Sequence, residues 1–259
     1  MSLERTRISA AELAKLRGEL DPLIGTQFSS ILSLPVKALQ AFEPSQVGTI
    51  VGSLMDALLP YLESIPQVGL TKHEGLIGER EGYPDYRHAS GFRLELKLLY
   101  KDNPDLEMKR PPTRREPSAR VTQKVTVKNV NPALDAMLLI AYQLQPQVND
   151  PDCVSPTIID LEVLSMIELV EARDKRMVEC GGRWFGNYET PTILSNAGRR
   201  NLNRGQPLDI DSYGRKESEG KDFSEDTNFG KLKRIPHPVL QAFLRKHHFI
   251  VNEQSECQI

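Results

Sequence analysis

The chain has 259 residues, 39% of them hydrophobic and 26% charged, enough for a sizeable core and too apolar for wholesale disorder. Lysine and arginine (33) nearly match aspartate and glutamate (35), so a net charge of −2 names no partner and only local charge placement is informative. No uncharged stretch approaches the roughly 18 apolar residues of a membrane span; Ala136 to Asn149 contains Gln143, Gln145, Pro146 and Gln147. Charge at Glu4 and Arg5 leads to the expectation that no secretory leader is present. Cys153, Cys180 and Cys257 are odd in number and never spaced C-x-x-C, which fits a reducing cytoplasm without disulfides or a cysteine zinc site.

In chain order, Leu13, Leu16 and Leu20 after Ser9 predict a helix over Ala10–Leu20 with Ser9 as its cap. After Pro44, Val47, Ile50, Val51, Leu54, Met55, Leu58, Leu59 and Leu62 recur at steps of three and four, a helical stripe facing a core, which Pro60 and Pro66 bend or end. The period then changes. Phe92, Leu94, Leu96 and Leu98 alternate with Arg93, Glu95 and Lys97, the pattern of a strand with one polar face. Val121 to Lys128 alternates as well and reads as a second strand. Ala136–Leu144 reads as a buried strand, paired as a hairpin with the apolar run Ile158–Val170 across the turn-rich Asn149–Pro156. Residues 181–230 read mostly as loop, and Pro236–Phe249 as a final helix. The whole predicts a single α/β or α+β domain over 1–259: helical over 1–66, a sheet core over 67–180, then loops and a helix over 181–259.

The chemistry concentrates in Gly82 to Lys97. Alternation puts Glu95 and Lys97 on one face of their strand, with Leu94, Leu96 and Leu98 on the other. Gly91 permits a turn that brings Asp85 beside Glu95. Two carboxylates and an ammonium on a rigid strand end suit Mg²⁺, which keeps several waters and takes one or two protein carboxylates besides phosphate oxygens. Such an ion lowers the pKa of a water and neutralises charge on phosphate; a neighbouring lysine positions or deprotonates that water, or stabilises the developing charge. The Glu-x-Lys pattern recurs at Glu107/Lys109 and Glu219/Lys221, and Pro-Asp at 104–105 and 151–152, but only Pro84-Asp85 with Glu95/Lys97 pairs a workable spacing with an alternating strand. The plain alternative is an ordinary solvent-facing Glu/Lys pair. His73 and His88 flank the motif, and His88 is a candidate assistant. Glu63 is a candidate third acid by position. His237, His247 and His248 are not spaced as a zinc pair.

On these residues the segment resembles the PD-(D/E)xK nuclease superfamily, especially type II restriction endonucleases. Gly82-Tyr-Pro-Asp-Tyr-Arg followed by Phe-Arg-Leu-Glu-Leu-Lys is similar to the metal-binding hairpin of that group. The resemblance implies a restriction-endonuclease-like core, a mixed sheet flanked by helices. It also implies Asp85, Glu95 and the Leu96 carbonyl as Mg²⁺ ligands, with Lys97 as the catalytic lysine. The order of elements is similar to the SfiI/BglI-like branch, whose members cut to blunt ends or 3′ overhangs. Glu95 stands where many members carry Asp.

Local charge supports a DNA partner. Lys109, Arg110, Arg114, Arg115, Arg120, Lys124 and Lys128 face the single acid Glu116, and Pro111, Pro112 and Pro117 keep the segment extended along a phosphate backbone. Arg199, Arg200 and Arg204 mix with Asn196, Asn201, Asn203 and Gln206, the residue types that read guanine and adenine edges, although Asn and Gly are also plain loop formers. Trp184, Phe185, Asn187 and Tyr188 are further candidates to stack on or contact DNA. The expectation is a Mg²⁺-dependent type II restriction endonuclease acting on double-stranded DNA as a homodimer or homotetramer, with no membrane partner. The alternatives are another nuclease on the same core, in repair or junction resolution, or a non-catalytic DNA-binding protein.

Overall fold

The computed structural model describes residues 6–62, 65–73, 82–109, 119–122, 125–179, 200–201, 203–206 and 230–249. Helix α1 (Ala10–Leu20) starts where Ser9 predicts: the Ser9 hydroxyl accepts the Glu12 N–H and the Glu12 carboxylate accepts the Ser9 N–H. Two donors at the helix start, out of reach of any helical carbonyl, are thereby satisfied. After β1 (Leu34–Pro35) and α2 (Val36–Leu39) comes α3 (Pro44–Leu58), closed by a 3-10 turn over Leu59–Tyr61 that contains Pro60. Val47, Val51, Met55 and Leu59 are buried, whereas Ile50 and Leu54 are exposed, so the packed stripe is narrower than the apolar spacing predicts.

The remaining elements of the sheet region are α4 (Ile65–Val68), β2 (Leu70–Lys72), β3 (Tyr86–His88), β4 (Arg93–Tyr100), β5 (Asp135–Pro146) and β6 (Cys153–Ser165). They form a six-stranded mixed sheet ordered β1-β6-β5-β4-β3-β2, parallel only between β4 and β5. With helices α1 and α3 packed on it, this is a mixed α+β fold, as predicted. Every residue of β5 from Asp135 to Tyr142 is buried, as a central strand covered on both faces requires. A parallel pair needs a long crossover, and residues 101–134, which carry the basic segment, supply it. On α3, Gly48 and Gly52 face the sheet; a Cβ on Gly48 would stand 3.4 Å from the Tyr100 Cβ, and one on Gly52 3.6 Å from the Tyr142 hydroxyl. Absence of side chains there brings α3 close to β4 and β5.

Two sequence expectations, and the plain alternative for Glu95 and Lys97, need correction. Val121–Lys128 is not a strand among its described residues: Val127–Asn129 is a turn, the Thr126 N–H is taken by the Asn129 side chain, and the Val130 N–H by the Thr126 carbonyl. Short polar side chains that bond their own backbone displace a ladder. The run Ile158–Val170 does pair with β5 as a hairpin, but only to Ser165; helix α5 (Met166–Glu179) begins at the next residue. No glycine or proline marks that change, and an apolar run alone does not distinguish strand from helix. The polar face of β4 is not a solvent face, since Glu95 and Leu99 are buried along with Leu94 and Leu96.

The chain divides into two compact units: Met1–Ala119 with Asn131–Met166 and Arg245–Phe249, and Arg120–Val130 with Ile167–Leu244 and Ile250–Ile259. In the second, the fully buried Arg173 donates to the carbonyls of Val121, Thr122 and Val125 and to the Asp174 carboxylate, and so fixes the segment that carries Arg120 and Lys128. Helix α6 (Pro238–Lys246) buries Leu240, Phe243 and Leu244. Among the described residues no helix is long and apolar enough to cross a membrane.

Candidate active site

Strands β3 and β4 are joined through Gly91, whose φ of +95° favours glycine, with His88 N–H donating to the Phe92 carbonyl and Gly91 N–H to that of His88. The Asp85 N–H continues the pairing by donating to the Leu94 carbonyl at 3.0 Å. The next β4 donor on that side, the Leu96 N–H, meets the Asp85 carboxylate instead, at 2.7 Å. One register step therefore places Asp85 beside Glu95 and Lys97. The Lys97 ammonium donates to Glu95 Oε1 at 2.6 Å, and Glu95 Oε2 is buried with no hydrogen-bond partner. All four predicted site residues, Asp85, Glu95, Leu96 and Lys97, come together.

Burial, and then the Glu95 charge, push the Asp85 carboxyl up to about 6, against the pull of Lys97 and the Leu96 N–H. At Lys97, burial disfavours the charge, but Glu95, Asp85 and Asp56 outweigh it and hold the ammonium above its ordinary range. It therefore stays protonated at neutral pH. An acid absent from the motif thus acts on both groups. Asp56, on α3 one turn beyond Gly52, takes an ion pair from Lys72 at 2.7 Å and a hydrogen bond from the Tyr86 hydroxyl at 2.9 Å. Its only sequence signal is that it is the sole charge from Pro44 to Leu62. A second unforeseen group is Asp135, fully buried, which accepts from both Nε and Nη2 of Arg93, from the Tyr83 hydroxyl at 2.8 Å and from the Asn131 N–H at 2.8 Å.

Asp85, Glu95 and the Leu96 carbonyl fit a hard cation. The partnerless Glu95 oxygen and the raised Asp85 carboxyl both gain from a positive charge beside them. Among the described residues no group of three or more His, Cys, Asp or Glu side chains is placed to hold a metal ion. His88 stands apart from this set. Its Nδ1 lies 2.6 Å from the Ser90 hydroxyl and 3.8 Å from a Glu19 carboxylate oxygen, and burial lowers its pKa. Glu63 lies outside the described residues.

Of the predicted DNA-contacting residues, Lys109 is exposed beyond β4, its N–H donating to the Phe42 carbonyl. Arg120 is half-buried and bridged to Lys231. Arg200 and Arg204 are exposed on a helical turn with Asn201 half-buried between them. Arg110, Arg114, Arg115, Lys124 and Arg199 lie outside the described residues, as do Trp184, Phe185, Asn187 and Tyr188. Compared with models of protein families, with curated proteins and with solved structures, the chain matches none.

Proposed function

We propose that the chain is a Mg²⁺-dependent nuclease of the PD-(D/E)xK type that cleaves double-stranded DNA at specific sites, a type II restriction endonuclease acting as a homodimer or homotetramer. The observation that carries the reading is the convergence of Asp85, Glu95, Leu96 and Lys97, with one Glu95 oxygen buried and partnerless. The basic crossover after β4 and the exposed Arg200 and Arg204 support DNA as the substrate. Asp85, Glu95 and the Leu96 carbonyl would hold Mg²⁺, which when bound supplies charge neutralisation at the phosphate and a water of lowered pKa.

The chain's own groups divide the remaining work. Lys97, held protonated in the metal-free site by Glu95, Asp85 and Asp56, is placed to donate to charge building on the phosphate oxygens. Glu95 orients Lys97 through their hydrogen bond. Asp85 accepts the Leu96 N–H on one side of the site, which orients its carboxylate. Incubation of a sequenced phage genome with protein and Mg²⁺ tests the proposal. Discrete bands with uniform ends are expected. Smears indicate a different nuclease on the same residues, and intact DNA a binding protein. Cleavage by Lys97→Ala within a few fold of wild type would overturn the mechanism.

A further inference from the structure

Asp85 stands just before β3 with its backbone held on both sides, its N–H donating to the Leu94 carbonyl and its carbonyl accepting the His73 N–H, but neither bond keeps its carboxylate on the Leu96 amide. The residue two positions earlier supplies a further hold, through its side chain. Tyr83 reaches across β4 to the Asp135 carboxylate on β5. That receiver is built into the sheet: Asp135 and Arg93 are register partners in the parallel β4/β5 ladder, and Arg93 grips the carboxylate through two nitrogens. With Asn131 N–H as another donor, Asp135 is balanced and satisfied without Tyr83. The phenol adds little to that balance; what it adds is direction, because it ties the Gly82–Asp85 turn to the middle of the sheet. Burial first, then Asp135 and Glu95, hold the Tyr83 phenol well above its ordinary range, so it remains a donor wherever the site would operate.

We propose that Tyr83 and Asp135 are positioning residues for Asp85: the tether from the Tyr83 hydroxyl to the buried Asp135 carboxylate keeps the Asp85 side chain on the Leu96 amide. Any effect on cleavage rests on the nuclease reading above; the geometric claim does not.

The test is amide hydrogen exchange, without metal or DNA, in wild type, Tyr83→Phe and Asp85→Ala. The Leu96 amide reports the Asp85 bond, and the Arg93 amide, which donates to the Leu134 carbonyl toward β5, is the internal control. Tyr83→Phe should speed exchange at Leu96 by about tenfold, toward the rate in Asp85→Ala, while Arg93 keeps its rate. An unchanged Leu96 rate overturns the proposal. So does equal acceleration at Leu96 and Arg93, which would make the phenol a general contributor to stability. Calorimetric titration with Mn²⁺ should show several-fold weaker binding to Tyr83→Phe. If the selective exchange effect appears but wild type neither binds Mn²⁺ nor cuts DNA, the tether stands and the nuclease reading falls.

Discussion

A carboxylate set beside another and away from water prefers to keep its proton, and Asp85 is held up to about 6 by burial and by Glu95. Its folded pKa lies above the unfolded value, so its contribution to stability is fully present below about pH 4 and is lost as pH rises through about 6. Asp85→Asn should therefore stabilise the metal-free protein by about 1–3 kcal/mol at pH 7.5, with the gain fading toward pH 4, while abolishing cleavage. Urea denaturation in EDTA across that pH range checks the sign; a variant less stable than wild type at pH 7.5 would refute it. The same proton competes with the cation. The Mg²⁺ concentration for half-maximal cleavage should climb below about pH 6, by up to about tenfold per unit, as measured by cleavage rates in Mg²⁺ titrations at several pH values.

At the scale of elements, the closeness of α3 to the sheet decides where Asp56 stands. The space at Gly52 accepts a methyl group at ordinary contact distance, so Gly52→Ala should fit and stabilise by about 0.5–1 kcal/mol through helix propensity, with cleavage unchanged. Gly52→Leu should instead force α3 outward, carry Asp56 away from Lys72 and lower activity, seen as reduced Tm and slower cleavage. The contrast between these elements shows what a sequence displays. The Ser9 box, the Ala10–Leu20 helix, the alternating β4 and the β5–β6 hairpin were legible because each depends on neighbours in the chain. So was the meeting of Asp85 with Glu95 and Lys97, since a tight hairpin makes it local. Asp56 and Asp135 were not legible, because their roles depend on a helix crossing the sheet and on a parallel register across the long crossover. Val121–Lys128 misled for the opposite reason: its alternation is real, but Thr126, Asn129 and Arg173 claim the backbone groups that a ladder would use.

For the whole molecule, whose net charge is −2, lysine and arginine gather locally in the crossover and again at Arg199, Arg200 and Arg204, and under the proposed function the two clusters are expected to make two kinds of DNA contact. Neutralising Arg114 and Arg115 should weaken binding to cognate and random duplexes alike and reduce the salt slope by roughly one unit per lost phosphate contact. Substituting Arg199 and Arg200 should cost about 1–3 kcal/mol per lost base contact and act mainly on cognate DNA, measured in Ca²⁺ so that nothing is cut. Equal losses on both duplexes would make the second cluster an electrostatic clamp. The parallel β4/β5 pair has a further consequence, in the order of assembly. Hairpin β5–β6 closes through the short turn at residues 147–152, whereas β4 meets β5 only after residues 101–134 are looped out, a larger entropic cost. The hairpin should thus gain protection first in pulse-labelled refolding, and β4, with Glu95, Leu96 and Lys97, should dock late. Asp135 is then in place before Arg93 and Tyr83 reach it, and a half-folded chain has no assembled site. A nuclease built in this order would be harmless to its own cell's DNA until folding is complete.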